Sequence, residues 1–258
     1  MAGLPSLVIL VSEVMLQQTQ VSRVEKFYPK FLAWFPDFKS LARAKTADVL
    51  RVWQGLGYNR RALMLQRLAR VVVKEYGGKL SRDRATLESL PGIGKGTSGS
   101  LMAFAFNKPV VFIETNIRRV FIHHFFPNRR KVSDAEIEPW VAKTLDAKRP
   151  REWYWALMDY GATLGAKTHT AETGDTEGTA DTTETKKLKK KFKNPNRRSR
   201  HYVQQSKFAG SDRELRGKIV KLFLEKKSTT PIIMAKILKE PLVRVKKITN
   251  ALSREGFF

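Results

Sequence analysis

Cysteine is absent from the whole 258-residue chain, which excludes disulfides and any thiolate-held metal cluster. The four histidines fall in no ligand spacing, so no structural zinc is expected and no metal ligand is assigned. Acidic residues are few beside the basic ones, 24 against 49, giving a formal charge of +25 and a pI near 10.4. That imbalance points to a polyanionic partner. Long apolar runs are also lacking: Leu4, Val8, Ile9, Leu10 and Val11 are soon interrupted by Ser12 and Glu13, and no basic region precedes them. Neither a signal peptide nor a membrane span is predicted, and the expected location is the cytoplasm, or the nucleoid in a prokaryote. What is there, 42% hydrophobic residues over a length sufficient for two domains, can bury a sizeable core.

Composition shifts along the chain. Residues 167–185, KTHTAETGDTEGTADTTET, are Thr-rich, acidic and poor in apolar side chains, as expected of a segment with too little to bury. Residues 186–211 carry ten Lys or Arg and no Asp or Glu, with Phe192, His201 and Tyr202 interleaved. Two readings stand for this run: a solvated charged linker, or an arm that neutralises DNA phosphates through side chains such as Arg197 and Arg198. From Ser211 helical periodicity returns, and Asp212–Lys227, Ile232–Lys239 and Leu242–Glu255 read as three helices ending in Gly-Phe-Phe. This looks like a winged-helix module without most of its wing. Its last helix carries Lys246 and Lys247 beside Arg244 and Arg254 and suits a major groove, although such modules also dock proteins. The expected division is therefore a domain over 1–166, a disordered acidic then basic linker over 167–211, and a small module over 212–258.

Two stretches of the first domain carry chemistry. Read along a helix, Val11, Val14, Met15, Val21, Val24, Tyr28 and Phe31 form an apolar stripe, while Glu13, Gln17 and Gln20 fall together on another face. Glu13 then faces a ligand or serves as a first-turn charge at a helix start. Further on, Ala85–Leu90 reads as a short helix, Pro91-Gly92-Ile93-Gly94 as a tight hairpin, and Thr97–Phe106 as a second helix. Glycines let a phosphate approach the backbone, and the helix N-terminus favours an anion. The same Gly-Ile-Gly could also be a plain connecting turn. Used as a grip, the hairpin would position DNA without reading its sequence.

Together SEVMLQQTQV at 12–21, WQGLGYNRRA at 53–62, LPGIGKGTSG at 90–99, ETNIRRV at 114–120 and the MDYGA run at 158–162 resemble the adenine DNA glycosylases of the MutY type, in the helix-hairpin-helix superfamily that includes endonuclease III. The resemblance covers about residues 8–166. It implies an all-α helix-hairpin-helix fold of two helical lobes with a DNA cleft between them, followed by the winged-helix-like module. Glu13 matches the general acid that protonates the purine, and Gln17 and Gln18 match side chains that enter the duplex. Tyr58 matches an aromatic wedge at the opposing oxidised guanine, with ordinary packing as the alternative. Asn116 matches the amide that orders the catalytic carboxylates and water, with helix capping as the alternative. Pro91, Gly92, Ile93, Gly94, Lys95 and Gly96 match the DNA-gripping hairpin.

The chain departs from that pattern in five places. Glu114 stands where the family carries the Asp that stabilises an oxocarbenium-like sugar, and its extra methylene moves the charge by about a bond length. Gly96 stands at the lyase lysine of bifunctional relatives, with Lys95 one place early. Thr163-Leu164-Gly165-Ala166 stands where four cysteines would begin to hold an iron–sulfur cluster, so no cofactor is expected. The upstream helix and Trp-Arg segment that lines the adenine pocket has no counterpart in these residues, and the three-helix tail stands in place of the Nudix-like domain that recognises 8-oxoguanine. The implied activity is excision of adenine mispaired with 8-oxoguanine or guanine by a monomer acting on double-stranded DNA. A lesion-binding protein with lost catalysis and a winged-helix regulator are the alternatives. Because Gly96 offers no amine, incubation with a mispaired duplex should yield abasic sites without nicks. A high yield of borohydride-trapped covalent complex would contradict this.

Overall fold

The computed structural model describes residues 6–173, 194–226 and 229–258, with the side chains of 166–173 left aside. The chain is all-α. In order it forms α1 (Ser6–Leu16), α2 (Val21–Trp34), α3 (Phe38–Arg43), α4 (Thr46–Trp53), α5 (Arg60–Glu75), α6 (Arg84–Ser89), α7 (Lys95–Phe104), α8 (Thr115–Phe125), α9 (Asp134–Thr144) and α10 (Pro150–Thr173). A turn of 3-10 helix follows at Pro195–Arg198, then α11 (Asp212–Glu225), α12 (Pro231–Leu238) and α13 (Leu242–Glu255). Among the described residues no strand forms beyond the isolated pairing of Val132 with Ser199. None of the described helices is long and apolar enough to cross a membrane.

The chain divides into two compact units, one running through Thr97 and rejoined by Gln205–Phe258, the other spanning Ser98–Gln204. These units do not follow the boundaries expected at 166 and 211. The acidic tract lies outside the described residues except at its start, where α10 continues to Thr173. Residues 194–200, expected within a linker, pack against α8 through Asn196 and Arg198 and pair with Val132.

In the first unit α1 buries Leu10, Val11 and Met15 completely, and Trp53 sits at the centre with Phe31 edge-on at 5.6 Å. The stripe expected from Val11 to Phe31 is broken into two helices: α1 stops at Leu16 and α2 starts at Val21, which is 60% exposed. The three C-terminal helices bury Leu215, Ile219, Val245, Ile248 and Leu252 and close with Gly256 in a left-handed cap (φ 85°). Arg67 donates to the Glu255 carbonyl at 2.6 Å, and Arg216 pairs with the Glu255 carboxylate at 2.8 Å.

The second unit is built on the close approach of α8 and α10. A Cβ at Gly161 would lie 2.5 Å from the Asn116 carbonyl oxygen, and one at Gly165 would lie 2.7 Å from the Arg119 guanidinium carbon. Small residues four apart thus open a channel on α10 for the first turns of α8. Behind them Phe104, Phe112 and Tyr154 pack together, and the Tyr154 hydroxyl donates to the Val110 carbonyl at 2.8 Å. Residues 194–200 strap α8 from outside. Asn196 Nδ2 donates to the Thr115 carbonyl at 3.0 Å near one end, and the Arg198 guanidinium donates to the Ile122, Phe126 and Pro127 carbonyls at the other.

Two glycine-to-alanine changes should separate. Gly161→Ala forces backbone apart and is expected to cost about 1–3 kcal/mol, whereas Gly217→Ala, in α11 with open space around it, should gain roughly 0.5–1 kcal/mol from helix propensity. Denaturant midpoints measured on both variants check the pair.

Candidate active site and nucleic-acid interface

Glu13 lies in the last turn of α1, part-buried, so the first-turn reading of this carboxylate is excluded. The helix ends because Gln18 turns left-handed (φ 53°), leaving carbonyls without helical partners. One side chain collects them. Arg61 Nη1 donates to the carbonyls of Val14 (2.8 Å), Met15 (2.8 Å) and Gln17 (2.5 Å), and Nη2 donates to Thr19 Oγ1 (3.0 Å) and the Gly57 carbonyl (3.1 Å). A cation at a helix C-terminus also complements the helix dipole. The guanidinium lies 5.3 Å from the Trp53 ring and 5.5 Å from the Tyr58 ring. Burial lowers its pKa to about 10, against an opposing influence of Tyr58, so it stays charged at neutral pH.

Arg61 therefore joins the end of α1 to the loop that carries Tyr58. Tyr58 is itself left-handed (φ 46°) and 39% exposed, and its hydroxyl accepts from Gln205 Nε2 at 3.2 Å and Arg213 Nη1 at 3.0 Å. Gln18 is exposed. Gln17 Nε2 donates to Thr97 Oγ1 at 3.1 Å, tying the end of α1 to the first turn of α7.

The hairpin runs from α6 to α7, whose bounds fall one or two residues earlier than expected. Its members divide by role. Ile93 is buried at 6% exposure and anchors the turn, with its N–H bonded to the Leu90 carbonyl at 3.1 Å. Gly92 is left-handed (φ 81°), and a Cβ there would lie 2.8 Å from Met64 Cβ. Pro91 is part-buried, whereas Gly94, Lys95 and Gly96 are exposed. A Cβ at Gly94 or Gly96 would meet nothing within 4 Å. Internal packing thus explains Gly92 and leaves Gly94 and Gly96 unexplained.

In the second unit Glu114 is the N-cap of α8. Its Oε1 accepts from the N–H groups of Asn116 (2.5 Å) and Ile117 (2.8 Å), so the cap is Glu114 and not Asn116. Burial raises the Glu114 carboxyl above its ordinary 4.5, against the pull of those two N–H groups and of the Arg118 and Arg119 guanidiniums. Arg119 Nη1 donates to Asn116 Oδ1 at 2.9 Å and to the Gly161 carbonyl, which fixes the amide with its Nδ2 donor turned elsewhere. Arg118 forms a two-pronged pair with Asp134 at 2.6 and 2.7 Å.

The basic residues of the tail also divide. Arg198 caps the end of α8 rather than standing free for phosphates, while Arg197 is exposed. Lys246 and Lys247 are exposed on α13; Arg244 is taken up by Asp212 and Glu240, each at 2.8 Å. The sequence motifs contain Arg61 and Arg119 but give no sign of their distant partners, the carbonyls at the end of α1 and of Gly161. Gln205 and Arg213 sit in no motif. The donor set for an iron–sulfur cluster is lacking, since the chain has no cysteine, and the described residues contain no group of three or more potential metal ligands.

Gly94→Ala should leave the melting temperature within about one degree of the parent, yet weaken duplex binding about tenfold by interposing a methyl before a phosphate. Gly92→Ala should lower stability by about 1–3 kcal/mol. Thermal melts and binding isotherms run in parallel distinguish the two positions.

Residues 11–143 match the family model described as HhH-GPD superfamily base excision DNA repair protein. The adenine DNA glycosylase of Mycolicibacterium smegmatis is 34% identical over 97% of this chain and 83% of that protein. The adenine DNA glycosylase of Buchnera aphidicola subsp. Baizongia pistaciae is also 34% identical, over 62% of this chain and 46% of its own length, so the chain spans less than half of that relative. Among solved structures, a thermostable thymine-DNA glycosylase superposes with a TM-score of 0.57 at 28% identity, covering 66% of this chain and 80% of that one. With the capped carboxylate of α8, the glycine hairpin and the α1 glutamate already in place, these matches close the question of kinship: the chain belongs to the HhH-GPD superfamily of base excision DNA repair proteins, within its adenine DNA glycosylase family.

Proposed function

We propose that the protein is a monofunctional DNA glycosylase that hydrolyses the N-glycosidic bond of adenine mispaired with guanine or 8-oxoguanine in double-stranded DNA, acting as a monomer. The reading rests above all on Glu114, a largely buried carboxylate held by two backbone donors, in a chain that matches an adenine DNA glycosylase along nearly its whole length. The target base must leave the stack to be reached. Glu13 then delivers a proton to the purine ring, the bond from the sugar to the base breaks with its electrons leaving on the base, and a neutral adenine departs. The sugar is left oxocarbenium-like, and the fixed charge of Glu114 stabilises it until water adds and gives its proton to the carboxylate that Glu13 has become. Asn116, steadied by Arg119, presents its amide donor to the carboxylate or the water. The hairpin, Lys246, Lys247 and Arg197 hold phosphates, and a location with the DNA in cytoplasm or nucleoid follows.

A duplex-binding protein without turnover is the second reading. One observation favours it: burial raises the pKa of the carboxylate that must be charged.

Single-turnover assays decide between them. Glu13→Gln should abolish adenine release and leave mismatch binding nearly intact. Glu114→Gln should slow release by about 10²–10³, and Glu114→Asp should match or exceed the parent. Because the folded pKa of Glu114 is raised above 4.5, its charged form is gained as pH rises through that higher value. Excision by the parent should climb across this window, and Glu114→Gln should lose the climb. A parent that binds mispairs and releases no base sinks the enzymatic reading.

A further inference from the structure

Outside the proposed chemistry, one polar cluster in the first unit is unexplained. Gln18 and Tyr58 are both exposed, both lack the glycine that left-handed backbone favours, and both adopt it, at φ 53° and 46°. Such conformations persist only where surroundings hold them, and they gather at ligand sites. What meets their side chains comes from the far end of the chain. Gln205 Nε2 donates to Gln18 Oε1 at 3.3 Å and to the Tyr58 hydroxyl at 3.2 Å. Arg213 Nη1 donates to the same hydroxyl at 3.0 Å and to Gln205 Oε1 at 3.5 Å, while Nη2 is fixed on the Ser206 carbonyl at 2.6 Å. The Arg213 guanidinium also lies 6.0 Å from the Phe208 ring.

The cluster offers an exposed aromatic ring, a forked donor and an amide that both donates and accepts. An aromatic face stacks on any base, and a forked donor suits two acceptors side by side. Of the four bases, guanine presents that pair, O6 and N7, on its outer edge. In this structure the groups bond directly to one another at an exposed site, at 3.0–3.5 Å, and the two-pronged contact with a base would also draw Arg213 Nη2 from the Ser206 carbonyl.

We propose that Gln205 and Arg213 are specificity-determining residues that read the base left unpaired across from the extruded nucleotide, taking guanine by its O6 and N7 acceptor edge beside Gln18 and Tyr58. The proposal rests on the glycosylase reading for its geometry of an extruded base, but it concerns binding and is tested by binding. In 8-oxoguanine N7 carries a hydrogen, so the fork loses one acceptor there; in 7-deazaguanine that acceptor is removed outright.

The full-length protein is titrated with duplexes carrying a tetrahydrofuran abasic analogue opposite guanine, 7-deazaguanine, 8-oxoguanine or cytosine, and adenine release from an adenine–guanine mispair is measured alongside. The parent should prefer guanine over 7-deazaguanine and cytosine by on the order of tenfold. In Gln205→Ala the preference should shrink, and in Arg213→Ala it should vanish. Arg213→Lys, which keeps the charge and loses the fork, should also lose it. If Arg213→Ala weakens all four duplexes equally and lowers the salt slope by about one phosphate contact, the residue grips backbone and the proposal fails. A parent without preference, or variants that keep the parental ratio, overturn it as well. Should the preference be present and collapse as expected while no adenine is released, the base reading stands and the glycosylase reading falls. Adenine release with a ratio unchanged in the variants leaves the glycosylase reading standing and overturns the base reading.

Discussion

A single guanidinium organises the first unit. Arg61 lies beneath the end of α1 and satisfies three carbonyls that the helix abandons, while its other nitrogen holds the loop bearing Tyr58. Bonds from a charged donor to several fixed acceptors are among the stronger polar contacts a protein makes, and a part-buried cation left without them would be costly. The consequence is geometric. Gln18 and Tyr58, separated by forty positions, flank one planar group, which ties the turn after α1 to the loop bearing Tyr58. The same contact explains why α1 stops where it does, since the carbonyls released by the break find a partner of the right charge.

In the second unit the comparable constraint is spacing. The glycines of α10 let α8 approach until backbone meets backbone, and the strap of residues 194–200 closes the outer side with Asn196 and Arg198. Hydrogen bonds to the two ends of α8 do this stapling. Arg198 thereby serves a structural purpose that its setting in a basic run conceals.

Much of this was legible from the residues. The three C-terminal helices fall within two residues of their expected bounds, because their apolar spacing and their stops are local. The hairpin was legible for the same reason, although Gly92, read as making room for a phosphate, is required by the positive φ of the turn. The break between α1 and α2 was not. The three- and four-residue apolar spacing runs through Val21 as if the helix continued, and the interaction that favours the break comes from Arg61, forty-odd residues on. The partners of Asn196, Gln205 and Arg213 were illegible for a kindred reason, as polar residues in a basic stretch or at the start of a helix give no sign of which distant groups they will meet. The capping of α8 by Glu114 lay between these cases: Glu two residues before Asn at a helix start is a recognisable cap, but the chemistry expected of the residue obscured it.

That double use of Glu114 has an evolutionary consequence. One carboxylate closes the first turn of α8 and, in the function proposed above, is also the group that meets the developing positive charge, so on that reading selection for a sturdier helix and selection for a faster reaction act on the same atoms. Elsewhere in the protein the two pressures can be answered by different residues, as the contrast between Gly92 and Gly94 illustrates. At Glu114, on the proposed function, they cannot, and a drift in side-chain length that suits the fold would register as a change in catalytic alignment. The position is a narrow pass through which any adaptation of this lineage to a new temperature would have to travel.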